Sequence, residues 1–310
     1  MRGAVVRHMV SKNLNRGRGE REEAEPRDKV QMLGRGSRLA TCVTGDGRSS
    51  TGLPRAMRSA AAYRPDPDRP PVVLSLPFAG TWMAVRTPSR AIPSHRTHFL
   101  GQTFAIDFVK VDARRRTARV RDWRTLLAVE PPGRFLGFGA PILAPADGRV
   151  ITVHDGEEDH AARRSPLTLI PYALTQGPRL RRGLGTVVGN HVIMSLGESG
   201  PFVGLAHLRR GSLRVRSGDR VDIGQPIAAC GNSGNSTQPH LHVQVMDSPD
   251  LVRSRGLPMA FRDYSAWPHG ADGSQPIREG IPGYRELVER DLSLRSYDIT
   301  GKAPMSDSRA

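Results

Sequence analysis

From Val72 onward the chain reads as short apolar runs broken by glycine and proline. Val72–Phe78 and Gly80–Val85 alternate in the manner of two strands around a tight turn, and Phe104–Val109 repeats the texture with an acid, Asp107, inside it. Further strand-like runs are Gly139–Ala144 leading into Pro145–Val153, Gly185–Gly189, His191–Met194, Phe202–Ala206 and Gly218–Ile227, followed by the run that ends His240-Leu241-His242-Val243. Asp147-Gly148 between two β-rich runs is a hairpin signal. Residues 156–183 are charged and proline-bearing, with a short helix expected around Leu167–Leu174, and read as an insertion. After about Asp250 the pattern becomes irregular, apart from an amphipathic helix expected over Tyr284–Leu292. Gly139-Ala-Pro-Ile-Leu-Ala144 recurs as Gly224-Gln-Pro-Ile-Ala-Ala229, which points to two related β-layers. Short, closely spaced strands with glycine turns predict a mainly β, two-layer antiparallel sandwich.

These patterns divide the chain. Residues 1–71 hold few apolar side chains and are dense in Arg, Gly, Ser and Glu. They are expected to be disordered, or untranslated if the true start is Met32 or Met57. Residues 72–250 form the expected domain, including the insertion at 156–183, and 251–310 an irregular extension. No run approaches the ~20 apolar residues that span a bilayer, and no secretory signal opens the chain. Export is therefore expected only from a different start.

The formal charge of +16 first suggests a polyanion partner. Only 4 of the 46 basic residues are lysine, as expected of a GC-rich genome, and no stacking aromatics are set among the arginines. A solvated basic surface is the expectation, with no specific nucleic acid. A weaker reading assigns polyanion binding to the arginine-rich N-terminus. Cys42 and Cys230 are read as unrelated reduced thiols.

The chemistry gathers around Gly231–Val245. On a strand His240 and His242 share a face, and imidazole both binds zinc and titrates near neutral pH. A catalytic zinc needs three protein ligands and an open position, with a base beside it. Asp107, an acid in an apolar strand, would be costly unless paired or metal-bound. His207 ends the run Gly204-Leu-Ala-His-Leu208, and His95 and His98 lie in the loop ahead of the Asp107 strand. His191 reads as an ordinary strand residue. The loop Asn232–Ser236 reads as groove wall.

As an ordered set, these pieces resemble the lysostaphin/LytM-type zinc endopeptidases, which cut peptide cross-links or stems of bacterial cell walls. The resemblance covers roughly residues 90–250. It lies in the strand with Asp107, the element 139–150, Ala206-His207-Leu208, and the element 218–242 ending in His-Leu-His. It implies a LytM-like sandwich (a duplicated hybrid motif), one zinc ion per chain, and a peptide or peptidoglycan substrate. Asp107 and His242 would be zinc ligands, and His207 and His240 would be catalytic, orienting water, taking its proton and steadying the oxyanion. The family's first histidine ligand stands four residues before the aspartate, where this chain has Thr103. A subgroup instead carries a Ser-His-Gly-Thr loop followed by Tyr-Ala-Ile-Asp. Ser94-His95-Arg96-Thr97 and Phe104–Asp107 are similar to these, so His95 is expected as the third ligand. His98, or no third ligand at all, is the alternative. A module of the same fold that binds cell-wall peptide or a partner protein without cleaving it is the rival reading.

Overall fold

The computed structural model describes residues 63–291 except 67, 166, 170–182 and 269–272. The expectations for residues 1–62, Cys42, most of the helix around Leu167–Leu174 and the last residues of the chain lie outside this range. Residues 167–169 are helical.

Among the described residues, fourteen strands are arranged as one large sheet and one small one. The first stretch has β1 (Val72–Ser75), β2 (Trp82–Arg86), β3 (Ile106–Lys110), β4 (Pro141–Leu143) and β5 (Gly148–His154). The second has β6 (Asn190–Ser195), β7 (Phe202–Leu208), β8 (Arg220–Val221), β9 (Pro226–Ala229) and β10 (Leu241–Met246). The last has β11 (Gly256–Leu257), β12 (Met259–Trp267), β13 (Gln275–Gly280) and β14 (Leu287–Arg290). The large sheet runs β1-β12-β14-β2-β3-β10-β7-β6-β5-β8, with β11 on β10 and β13 on β12. The mainly β, two-layer expectation holds, with one amendment: the sheet is mixed, because β1 pairs parallel to β12 while the other pairs are antiparallel.

The repeat has a direct structural meaning. Its two copies become β4 and β9, which pair with each other, Ile142 opposite Ala228. The inward residues Ile142, Ala144, Ile227 and Ala228 join one core with Val150, Met194, Leu205 and Val243 of the large sheet. Burying that face against the large sheet is what a half-apolar ribbon needs in water.

Four local expectations are corrected. Asp147-Gly148 makes no hairpin. It is a corner where the chain passes from β4 in the small sheet to β5 in the large one, pinned by Ile223 N–H donating to Asp147 Oδ1 at 2.6 Å. Gly148 is required there, since a Cβ would stand 2.5 Å from the Ser195 carbonyl oxygen. Gly185–Val188 is a short helix, α2, following α1 (Trp123–Leu127), where a strand was expected; it ends at Gly189 with φ +72°. The stretch expected as a helix over Tyr284–Leu292 contains β14. Leu287 and Val288 point to opposite faces and enter separate apolar clusters, which a strand between two neighbours permits and a helix does not. The extension after Asp250 is likewise strand-bearing: β12 and β14 sit inside the large sheet, with Phe261, Tyr264, Ala266 and Val288 in the main core. Strand pairing between distant segments outweighed weak local patterning.

Cys230 is buried and free, and burial pushes its thiol pKa up. No helix among the described residues is long and apolar enough to cross a membrane.

Candidate metal and catalytic site

The centre of the large sheet aligns three site-bearing strands. Antiparallel register sets His242 of β10 opposite Asp107 of β3 on one side and Ala206 of β7 on the other. A cavity of about 330 Å³ opens over this row, lined by His95, Asp107, His207, His240 and His242 among others. Each of the five residues expected from sequence therefore reaches one pocket.

His207 gets there by breaking the strand period. Leu205 and Leu208 both enter the core, whereas Ala206 and His207 both line the pocket. Strict alternation would send His207 to the core face. The backbone at His207 is left-handed instead, φ 61°, which puts two consecutive residues on the site side and returns Leu208 to the core. Non-glycine residues rarely adopt this conformation, and such strain concentrates at functional positions.

Hydrogen bonds set which ring nitrogen carries the proton. Gln244 Nε2 donates to the Leu100 carbonyl at 2.8 Å, so its Oε1 faces His242 Nε2, also at 2.8 Å. That nitrogen must donate, which leaves the His242 Nδ1 lone pair 2.9 Å from Asp107 Oδ1. Ser94 Oγ donates to the Ala105 carbonyl at 2.7 Å and accepts from His95 Nδ1 at 3.0 Å. The His95 Nε2 lone pair then faces both Asp107 oxygens at 3.1 Å. Two lone pairs directed at a carboxylate repel it unless a cation lies between them or a nitrogen takes a proton.

The donor set fits a metal ion. His95, Asp107 and His242 offer three ligand atoms within 4.8 Å of one another. Two imidazoles and a carboxylate, with outer hydrogen bonds fixing the rings, match a catalytic zinc site with a fourth position open. His98 stands elsewhere. Its Nδ1 contacts Thr103 Oγ1 at 3.0 Å and its ring meets Tyr63 edge-on, so of the two loop histidines it is His95 that reaches the carboxylate.

The other two histidines are held in the same tautomer as His95, opposite to that of His242. His207 Nδ1 donates to the Ser233 carbonyl and His240 Nδ1 to the Gln238 carbonyl, both at 2.9 Å, leaving Nε2 as the basic nitrogen in each. Their rings lie 4.6 Å apart, and His240 Nε2 is 3.7 Å from Asp107 Oδ1. Burial, then the charges of His240 and His242, hold His207 well below the usual imidazole pKa. Burial, against the pull of Asp107, lowers His240. Burial pushes the Asp107 carboxyl up, but the neighbouring histidines outweigh it and keep it well below the usual carboxylate range. At neutral pH the pocket thus presents an ionised carboxylate and two unprotonated bases.

The loop expected as groove wall orients the bases: Ser233 holds His207, and Ser236 Oγ lies 2.9 Å from His240 Nδ1. It packs back to back with the end of α2, where a Cβ on Gly234 would meet Gly189 N at 2.4 Å. Sequence reasoning passed over the pocket residues Gln244 and Arg86 and read a third, His191, as an ordinary strand residue. Gln244 lies two residues beyond His242, and the same period of two that selected the histidine pair would have found it. His191 lines the pocket, its Nδ1 donating to the Gly189 carbonyl at 2.8 Å. Arg86, with Nε 3.6 Å from Asp107 Oδ2, had no local signal.

Residues 172–254 match the sequence profile of "Peptidase family M23". Among solved structures, the chain is similar to the catalytic domain of the antimicrobial peptidase lysostaphin from Staphylococcus simulans, at 17% identity and TM-score 0.30, over 57% of this chain and 88% of that one. It is also similar to the catalytic domain of the prophage-encoded M23 protein EnpA from Enterococcus faecalis (18%, TM-score 0.29, 50% and 73%). A zinc-containing peptidase from Vibrio cholerae is 24% identical (TM-score 0.26) over 48% of this chain and 37% of that one. At these TM-scores the likeness adds nothing to the geometry above.

Proposed function

We propose that this chain, whose residues 172–254 match the profile of peptidase family M23, is a zinc metalloendopeptidase acting on peptides of the peptidoglycan type. His95, Asp107 and His242 would hold the ion. When bound, zinc supplies Lewis acidity, polarising a carbonyl and making a water acidic near neutral pH. His207 and His240 divide the proton work. One Nε2 takes the proton from the attacking water; the other side chain, whose Nδ1–H is committed to a backbone carbonyl, steadies the oxygen of the tetrahedral intermediate only as an imidazolium donating from Nε2. Their lowered pKa values favour the free base at neutral pH. Residues 72–250 contain every side chain of this site, and the strands after them complete the sheet.

The observation that supports the reading is the set of lone pairs from His95 Nε2 and His242 Nδ1 directed at Asp107. Metal content of the purified full-length protein tests it. One equivalent of zinc is expected, lost in Asp107→Ala, His242→Ala and His95→Ala and kept in His98→Ala. Zinc retained unchanged in Asp107→Ala and His242→Ala would sink the site. Cleavage of glycine- and diaminopimelate-containing peptides tests the activity, with His207→Ala and His240→Ala expected to abolish turnover while retaining zinc.

Thr103 favours a second reading. The residue four places before Asp107 is a fully buried threonine where the family resemblance implies a histidine, which suits a module that binds cell-wall peptide without cutting it. That reading expects binding to survive His207→Ala and no peptide to be hydrolysed.

A further inference from the structure

A second cavity, of about 390 Å³, adjoins the catalytic pocket and shares Arg86 with it. Three of its lining side chains are arginines, Arg86, Arg90 and Arg96, and none of its lining residues is acidic. We propose that this groove is an anion subsite, in which Arg86, Arg90 and Arg96 receive a carboxylate carried by the peptide substrate. The proposal rests on the peptide-binding reading above and deepens it by naming a substrate class, peptides with an acidic group near the bond at the site.

The geometry argues for a built subsite over a merely solvated patch. Arg90 is held in place by the Tyr284 ring, its Cζ 4.2 Å from the centroid. Arg86 is oriented by Asp107, its Nε 3.6 Å from Oδ2. With a cation on Asp107 that carboxylate's charge is spent, and Arg86 is left to attract another. Neither Arg90 nor Arg96 forms an ion pair with a carboxylate among the described residues. Arg96 holds a left-handed backbone, φ 59°, in a turn closed by its N–H to the Pro93 carbonyl at 3.0 Å. That strained position lies one residue after His95, so the segment that would place a metal ligand also places a subsite cation. The planar guanidinium fork matches a carboxylate in two hydrogen bonds, which makes arginine the residue suited to this recognition.

The test uses the zinc-loaded full-length protein and a panel of glycine hexapeptides in which each position in turn is glutamate or glutamine. Cleavage (kcat/KM) and binding (fluorescence anisotropy) are measured in parallel. At one position glutamate should be preferred about tenfold over glutamine in both readouts. The ratio should fall to near one in Arg90→Gln/Arg96→Gln and recover in part in Arg90→Lys/Arg96→Lys. Equal binding of glutamate and glutamine at every position overturns the subsite, as does a preference that survives the double glutamine variant. So does a short oligodeoxynucleotide bound through these arginines in the absence of any glutamate preference. Arginine-dependent binding without cleavage would keep the subsite and defeat the peptidase reading.

Discussion

Gln244 Oε1 accepts a hydrogen bond from His242 Nε2 at 2.8 Å, while the same amide donates to the carbonyl of Leu100, 144 residues earlier in the chain. One buried side chain thus sets the tautomer of a proposed ligand and ties it to the segment that follows His95. Replacing it should act on metal affinity. Gln244→Leu is expected to weaken zinc binding about 10–100-fold, read by competition with a chromogenic chelator. Gln244→Glu, which can still accept from His242, should keep most of the affinity. Equal loss in both variants would mean that packing, and not the acceptor, matters.

The left-handed backbone at His207 makes a separable prediction about stability. His207→Asn places a residue that tolerates φ 61° at the site; His207→Val places one that does not. Both should lose turnover. In urea unfolding the valine variant should be less stable than the asparagine variant by about 1–3 kcal/mol. Equal stabilities would show that the strand relaxes at no cost.

Phe261 of β12 is fully buried and meets Phe108 edge-on, 5.6 Å between centroids. Phe108 is the residue after Asp107, so the strand after Asp250 buttresses the strand of the site. Phe261→Ala should cost about 3–5 kcal/mol, measured by denaturant unfolding. A chain ending at residue 250 should fail to give a cooperative transition, since it would strip β12 and β14 from beside β1 and β2.

Acid should destabilise the metal-free protein. Burial lowers the pKa of both His207 and His191 in the folded state. The unfolded chain therefore binds protons first as pH falls below about 6.5, and stability declines from there toward the lower folded values. His191→Gln should flatten the slope. A stability that rises on acidification would contradict the burial of both rings.

Much of the site was legible in the chain itself. His240, His242, Asp107 and His207 stand on β-patterned runs, and alternation is a local property that neighbouring residues write directly. The Gly-x-Pro-Ile-x-Ala repeat suggested two related β-layers, whereas its copies pair with each other in one small sheet, which nothing local indicated. The extension after Asp250 misled for the opposite reason. Its strands form only because β1 and β2 offer them edges, and that partner lies some 200 residues away in sequence.

Residue type and spacing are therefore what this sequence determined: a mainly β chain and a set of imidazoles and one carboxylate able to share a metal. The direction of each lone pair was decided by the tertiary structure. Whether His95 or His98 meets Asp107 depends on Ser94, Thr103 and the turn between them. His207 faces the pocket only through a backbone flip that alternation forbids. The His242 tautomer depends on an amide anchored to Leu100. A hydrogen bond is directional and is made across space, so its geometry exists only once distant strands are in register.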